Sequence, residues 1–177
     1  MIKRYLDRLT TGFNWLAGLA MLFMMLQIGV DVLSKYLFNY PFLWTTDVVA
    51  SYLMVAIVFL PLAGVERQNS QIRVELLIQH MNYPTRRVMV IFTTIVSIVY
   101  FAGITWRTWG DALDKYRIGE YVMGDSQVTV WPGRFFLPLG CGLLTIYLFY
   151  KLWQLIADKE YLKSEEELAA SGEMVDE

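Results

Sequence analysis

The sequence predicts an all-α membrane protein with four transmembrane helices, and three observations support this fold class. Four long stretches contain no Asp, Glu, Lys, Arg or His, namely Leu9–Val30, Val48–Val65, Val88–Trp106 and Phe135–Tyr150. A bilayer core is about 30 Å thick, so a helix that rises about 1.5 Å per residue needs about 20 apolar residues to cross it. The 177-residue chain is 56% hydrophobic, which lies outside the soluble globular range. Most of its tryptophans fall near predicted span ends, where indole prefers the head-group level.

We expect one transmembrane domain over residues 1–157, with four spans arranged as two hairpins. The spans are expected at about 9–37, 47–66, 85–117 and 132–156. Orientation follows from the positive charges, because cytoplasmic loops carry an excess of Lys and Arg. With the N-terminus inside, ten of the fifteen Lys and Arg residues fall on the cytoplasmic side. Both termini are therefore predicted to be cytoplasmic.

Local signals justify the first two helices. The apolar run of the first span is about 20 residues long, longer than the core of a signal peptide, so we interpret it as a membrane span. Pro41 ends this first helix and forces an extended turn. Thr45 or Thr46 is expected to cap the second helix, and Asp47 falls in its first turn, where a carboxylate is favourable against the helix dipole.

The third and fourth helices have equally clear boundaries. The third is expected to begin near Pro84 and to continue beyond the membrane, because Arg107–Arg117 contains no breaker except Gly110. Pro132 is expected in the first turn of the fourth helix, where its missing N–H costs nothing.

Two segments are expected outside the spans. Residues 70–81 mix apolar and polar side chains in a pattern typical of a short amphipathic helix on the inner membrane surface. Residues 158–177 carry eight acidic residues against two lysines, which indicates a solvated acidic cytoplasmic tail.

Residues that perform chemistry are scarce. His80 is the only histidine, so a haem held by two histidines is impossible within one chain. No His, Cys or carboxylate pair inside the spans has the spacing of a metal site. Phosphate-binding glycine loops and Ser/His/Asp sets are also missing from the sequence. We therefore predict no enzymatic activity, no cofactor, no metal ion and no nucleic-acid partner.

The polar residues of interest lie at the two predicted membrane faces. Asp31 and Lys35 are four residues apart and share one side of the first helix, and three further residues fall at a similar outer depth, namely Asn39, Asp47 and Arg134. The inner face carries Glu66, Arg67, Gln71 and Arg73. Two interpretations remain open for both groups. The charges either pair or extend to water to tolerate the interface, or they fasten the hairpins and contact a partner.

The order of these segments resembles the small membrane subunit of tripartite ATP-independent periplasmic (TRAP) transporters. The similarity covers about residues 5 to 155 and includes Asp31–Pro41, Trp44–Asp47 and Tyr52–Leu60 of the first hairpin. It continues through Gly64–Leu77, where Gln71 and Glu75 replace the His and Asp of the usual family pattern, so a role that needs an imidazole is not carried over. Trp131–Pro132 and Leu137–Gly140 also fit the family.

This resemblance implies a scaffold in the bacterial inner membrane. A periplasmic protein captures an organic acid, of the dicarboxylate or sialic acid class, and a large multi-helix permease moves it inward by a sodium-driven elevator motion. The small subunit would brace that permease and help to dock the binding protein, while the large subunit binds sodium and substrate. Membrane lipids are its other partner.

On this interpretation, two groups of residues contact partners. The periplasmic group is Asp31, Lys35, Asn39, Trp44, Asp47 and Arg134, and the cytoplasmic group is Arg67, Gln71 and Arg73. One alternative is a membrane-anchor subunit of a redox complex, which would need histidines or a quinone pocket. Another is a four-helix antiporter, which would need a carboxylate within a span.

Overall fold

The computed structural model describes residues 2–40, 42, 44–67, 83–122 and 128–157. The expected amphipathic helix at 70–81, the acidic tail at 158–177, and Gln71 and Arg73 lie outside these residues. The described part contains four helical stretches long and apolar enough to cross a membrane, at Arg4–Phe38, Trp44–Arg67, Pro84–Ile118 and Trp131–Ala157. The prediction of four long apolar helices that are able to span a membrane is confirmed. We call these stretches the first to fourth spans.

The first span is the single helix α1 (Ile2–Phe38), and the second is built from several pieces. Helix α2 (Trp44–Val48) runs into a π-helical turn at Val49–Leu53, and α3 (Met54–Phe59) and α4 (Leu62–Arg67) follow. The interruption at residues 60–61 has a covalent cause. Pro61 has no N–H to donate to the carbonyl one turn earlier, so the regular helix cannot continue through it.

The third span is α5 (Tyr83–Ile118), and the chain leaves it at Gly119. This residue has a φ of 67°, the left-handed conformation that glycine adopts without penalty at a helix C-terminus. Two short antiparallel strands follow, β1 (Tyr121–Val122) and β2 (Val128–Thr129), with Tyr121 opposite Thr129.

The fourth span begins with a 3₁₀ turn at Trp131–Phe135 and continues as α6 (Phe136–Ala157). Pro132 occupies the first turn, as its fixed φ favours. The predicted hydroxyl cap of the second span is wrong. Helix α2 begins at Trp44, and the buried hydroxyl of Thr45 has no hydrogen-bond partner among the described residues.

Helix α6 lies at the centre of the packing, since it contacts α3, α4 and α5, whereas α1 packs on the pieces of the second span. The most apolar window of the fourth span is 44% buried, against 6% for the first span. The core between the second, third and fourth spans contains Ala63, Ile98, Leu143, Leu144 and Leu148. A second cluster, of Ala17, Ala56 and Leu60, joins α1 to the second span. The exposed side chains of α1 and α5 are mostly large and apolar, as expected for surfaces that face lipid.

Two glycines of the fourth span allow it to touch the backbone of the second. A Cβ added at Gly133 would lie 2.0 Å from the Ser51 carbonyl oxygen, and one added at Gly140 would lie 2.0 Å from that of Phe59. Both distances are far below van der Waals contact, so only glycine fits. This is the small-residue packing by which membrane helices approach closely without a hydrophobic driving force.

Candidate functional site

Polar contacts between spans concentrate at the two ends of the bundle. We call the end that carries Asp7, Arg67 and Lys151 the N-terminal end, and the end that carries the β1–β2 pair the hairpin end. Between them, the charge-free centres of the four spans leave no charged side chain at mid-depth. The functional candidates therefore lie at the ends, and each end is described in turn.

At the N-terminal end, a buried ion pair joins the second and fourth spans. Lys151 Nζ lies 2.6 Å from Glu66 Oε1, and the two side chains are only 4% and 10% exposed. The residues are 85 positions apart in sequence, so only the fold brings them together. Charge-assisted contacts of this length are strong when shielded from water.

Two further contacts connect the remaining spans at this end. Arg67 Nε lies 3.5 Å from Asp7 Oδ1, and Arg67 Nη1 donates to Thr11 Oγ1 at 3.0 Å, which ties α4 to α1. Arg87 Nη2 donates to the Leu155 carbonyl oxygen at 2.7 Å, which ties α5 to α6. We call Asp7, Glu66, Arg67, Arg87 and Lys151 the inter-span clamp. Together these five residues connect all four spans by polar contacts.

At the hairpin end, five of the six residues predicted to contact partners surround the turn between α1 and α2. Asp31 Oδ1 accepts a hydrogen bond of 2.7 Å from the Phe42 backbone N–H, which fixes the chain after the helix. Lys35 is exposed in the last turn of α1, and Asn39, just past it, has a φ of 53°. Asparagine is one of the few residues that tolerates this conformation at a helix C-terminus. Trp44 is partly exposed and Asp47 half-buried in the first turn of α2.

Arg134, the sixth predicted residue, has a different partner. Its Nε and Nη2 atoms lie 3.3 Å and 3.4 Å from the two oxygens of Glu120, and Lys115 Nζ lies 3.1 Å from Glu120 Oε1. Among the described residues, no ion pair joins Arg134 to Asp31 or Asp47. Arg134 therefore fastens the start of the fourth span to the chain just after the third span, rather than to the turn between α1 and α2.

The contacts of Glu120 also control its ionisation. Burial raises the pKa of its carboxyl group, but the hydrogen bonds and charges of Lys115 and Arg134 outweigh burial and hold that pKa below its ordinary value of 4.5.

A hydrogen bond from the Tyr52 hydroxyl to the Thr129 carbonyl oxygen adds a link between the second span and β2. The hairpin end is thus held together by contacts from three spans.

Sequence reasoning missed the most buried of these contacts. Glu66 and Lys151 stand directly after the charge-free stretches that end at Val65 and Tyr150. Their pairing could have been predicted from that position. Opposite charges that border two apolar stretches at the same membrane face are candidates for pairing. Glu120 gave no comparable signal, because it lies in the connection after Gly119.

These features define a polytopic membrane protein whose polar contacts hold its own helices together. Among the described residues, no three His, Cys, Asp or Glu side chains cluster closely enough to hold a metal ion. The sequence profile of the family "Tripartite ATP-independent periplasmic transporters, DctQ component" matches residues 8–158 of the chain.

The chain belongs to this DctQ family, the small membrane component of TRAP transporters. No match to an individual curated protein accompanies the family match. The resemblance noted from the sequence is confirmed. DctQ is a transporter component and not an enzyme family, and membership implies association with the large permease and the periplasmic binding protein of a TRAP system.

Proposed function

We propose that this chain is the scaffold subunit of a sodium-coupled, binding-protein-dependent secondary transporter for organic acids in the bacterial inner membrane. It braces the large elevator-type permease subunit and helps to dock the periplasmic binding protein. The observation that carries this proposal is the family match over residues 8–158. The substrate class, dicarboxylate or sialic acid, rests on the family resemblance alone.

The inter-span clamp supports the bracing role. An elevator mechanism needs one part that stays fixed while another moves, and a fixed part must resist displacement of its helices. The Glu66–Lys151 pair and the Gly133 and Gly140 contacts hold the second and fourth spans together near both ends. The charge-free mid-depth is consistent with this role, because ion and proton pathways in membranes use ionisable side chains.

The turn between α1 and α2 supports the docking role. Lys35 and Trp44 are exposed there, beside exposed aromatic side chains at Tyr36, Phe38 and Tyr40. Aromatic and basic side chains around a fixed turn are the kind of surface from which interface anchors are drawn. We propose that Asp31 and Asn39 shape this turn and that Lys35, Trp44 and Asp47 contact the partner.

The remaining predicted residues have separate proposed roles. Arg134 supports the same end through Glu120, and Arg67 braces the opposite end through Asp7. Gln71 and Arg73 stay predictions for the cytoplasmic side.

The alternative function, a membrane anchor of a redox complex, would require a haem or quinone in the purified chain. An absorption spectrum with a Soret band would favour that alternative.

Co-purification with the large permease subunit tests the proposal directly. We expect the affinity-tagged full chain, co-expressed with the permease, to retain it through mild detergent at near-equal amounts. The double variant Lys35→Ala/Trp44→Ala should weaken binding of the periplasmic protein to the assembled complex at least tenfold, with the permease still retained. The matched control is Arg107→Ala, an exposed cation on the third span that should leave docking unchanged. Failure of the wild-type chain to retain the permease would refute the scaffold role.

A further inference from the structure

A cleft with charges of both signs lies at the hairpin end, apart from the turn proposed for docking. It has a volume of about 310 Å³ and is formed by the second, third and fourth spans. Its polar lining comes from Ser51, Thr108, Asp111 and Arg134, and its apolar lining includes Val55 and Leu137. None of the contacts of the inter-span clamp involves these residues. The proposed function uses Arg134 only through its contact with Glu120 and assigns no role to the cleft itself.

The depth of the cleft places its charged mouth at the border between lipid head groups and hydrocarbon. The charge-free stretch Val88–Trp106 is centred on Ser97, and Asp111 lies 14 residues further along the same helix, about 21 Å from the mid-plane for an upright span. Lipid head groups occupy roughly 15 to 22 Å from the mid-plane. Arg134 immediately precedes the charge-free stretch Phe135–Tyr150, whose half-length is about 12 Å, so it lies just below this layer, at the top of the hydrocarbon. A ligand at the cleft is thus bounded by head groups above and hydrocarbon below.

The polarity of the cleft changes along the membrane normal. On the second span, Val55 lies one helical turn closer to the mid-plane than Ser51. On the fourth span, Leu137 likewise lies about one turn deeper than Arg134. Charged groups therefore line the mouth and apolar groups line the base, which is the arrangement that suits an amphipathic ligand inserted with its polar end outward.

The two charges are available to such a ligand. Asp111 pairs with Arg107 at 3.8 Å, but these side chains are 54% and 82% exposed, so water screens the pair. Arg134 uses Nε and Nη2 for Glu120, which leaves its Nη1 donors for a second acceptor. Although they line the same cleft, Asp111 and Arg134 form no ion pair with each other in the described structure. A site with one accessible cation and one accessible anion is complementary to a zwitterion.

We propose that this cleft binds the head group of a phospholipid that carries both a phosphate and a primary ammonium, as phosphatidylethanolamine does. The phosphate accepts hydrogen bonds from Arg134, because guanidinium groups match phosphate geometry. The ammonium donates to the Asp111 carboxylate. Phosphatidylglycerol lacks the ammonium, and the quaternary ammonium of phosphatidylcholine has no N–H to donate. The acyl chains lie against Val55 and Leu137.

The test measures lipids bound to the purified full chain by native mass spectrometry during titration with phosphatidylethanolamine, phosphatidylglycerol or phosphatidylcholine. We expect at least fivefold tighter binding of phosphatidylethanolamine than of the other two. Asp111→Asn should abolish that preference, and Arg134→Gln should weaken binding of all three lipids at least tenfold. The matched controls are Asp114→Asn and Arg117→Gln. Both change exposed charges on α5, the helix that carries Asp111, and neither residue lines the cleft.

The preference between lipids is the decisive quantity, since Arg134→Gln also removes the Glu120 ion pair. Equal affinity of the wild-type chain for the three lipids would overturn the proposal. An effect of Asp114→Asn as large as that of Asp111→Asn would do the same. Displacement of the bound lipid by millimolar inorganic phosphate would identify a free-anion site instead. These readouts use the chain alone, so they are independent of whether it binds a permease.

Discussion

Glu66 and Lys151 are buried charges from different spans, and their contact of 2.6 Å has a large energetic consequence. Moving an isolated charge out of water costs several kcal/mol, and each partner offsets that cost only while the other is present. The pair is therefore poor evidence of net stabilisation, but it fixes which faces of the second and fourth spans meet. Its breakage should be far more damaging than its complete replacement.

Replacement of Lys151 alone should strongly destabilise the protein. Lys151→Met leaves the Glu66 carboxylate buried without its cation, and we expect the free energy of unfolding in detergent to fall by about 3 to 5 kcal/mol. The double variant Glu66→Leu/Lys151→Met should recover most of this loss. Denaturant titration followed by circular dichroism measures both changes.

The control for this experiment is the exposed pair Arg107–Asp111. Arg107→Gln should change stability by less than about 1 kcal/mol, because exposed ion pairs contribute little. If Lys151→Met behaved like Arg107→Gln, the buried pair would have no role in fixing the bundle.

Glu120 should make the hairpin end sensitive to acid. Because its pKa is lowered in the folded protein, its contribution to stability is fully present above its unfolded pKa near 4.5 and is lost as the pH falls through the folded value. Thermal unfolding in detergent should show this loss below about pH 4.5. Glu120→Gln should have a smaller loss over the same range, and Asp114→Asn should retain the wild-type profile. An unchanged profile for Glu120→Gln would contradict this assignment.

At the residue scale, the sequence located charges better than it located their partners. Arg134 was recognisable because it borders a charge-free stretch, yet its partner Glu120 follows a glycine break and has no periodic signal. Arg67 was recognisable because only Glu66 separates it from a charge-free stretch, whereas its partner Asp7 lies on another span. Pairing depends on how helices rotate against one another, and lipid-facing and protein-facing surfaces are both apolar in this chain. That rotation cannot be deduced from composition.

At the element scale, the close approach of the second and fourth spans depends on two glycines. Gly140→Ala would place a Cβ within 2.0 Å of the Phe59 carbonyl oxygen, so the helices must separate. Overpacking of this kind costs about 1 to 3 kcal/mol. Unfolding titrations in detergent should show this loss.

Gly103 offers the matched control on the third span. A Cβ added there meets nothing within 4 Å, and alanine favours helix by up to about 1 kcal/mol over glycine. Gly103→Ala should therefore maintain or raise stability. A loss for Gly103→Ala equal to that for Gly140→Ala would show that the glycine effect is not due to the contact with Phe59.

The ends of helices were easier to predict from the sequence than irregularities inside them. Pro132 and Gly119 mark a helix start and a helix end for covalent and conformational reasons that act locally, and both are found in those positions. The π-helical turn at Val49–Leu53 carries no such signal. It lies where the second span meets the 3₁₀ turn before α6, so tertiary packing decides it. The expected cap at Thr45 or Thr46 failed because α2 begins at Trp44, which places both residues inside the helix instead of before it.

For the whole molecule, the proposed role predicts inactivity in isolation. Liposomes that contain only this chain should accumulate no organic acid under a sodium gradient, because no ionisable group lies at mid-depth. Liposomes that also contain the permease, with the binding protein and its substrate outside, should accumulate it. Radiolabelled uptake measures both cases, and empty liposomes set the background. Uptake by the chain alone would contradict the scaffold assignment and favour an antiporter.

The burial of Lys151 has a consequence for how the protein fits membranes of different thickness. The charge-free part of the fourth span is 16 residues long, about 24 Å, which is shorter than a bilayer core of about 30 Å. Because Glu66 neutralises Lys151 inside the protein, this end of the span need not reach water. Helices α1 and α5, with 37 and 36 residues, extend to about 55 Å and can absorb hydrophobic mismatch by tilting. A thicker or thinner bilayer should then change the tilt of these outer helices and leave the centre of the bundle as it is.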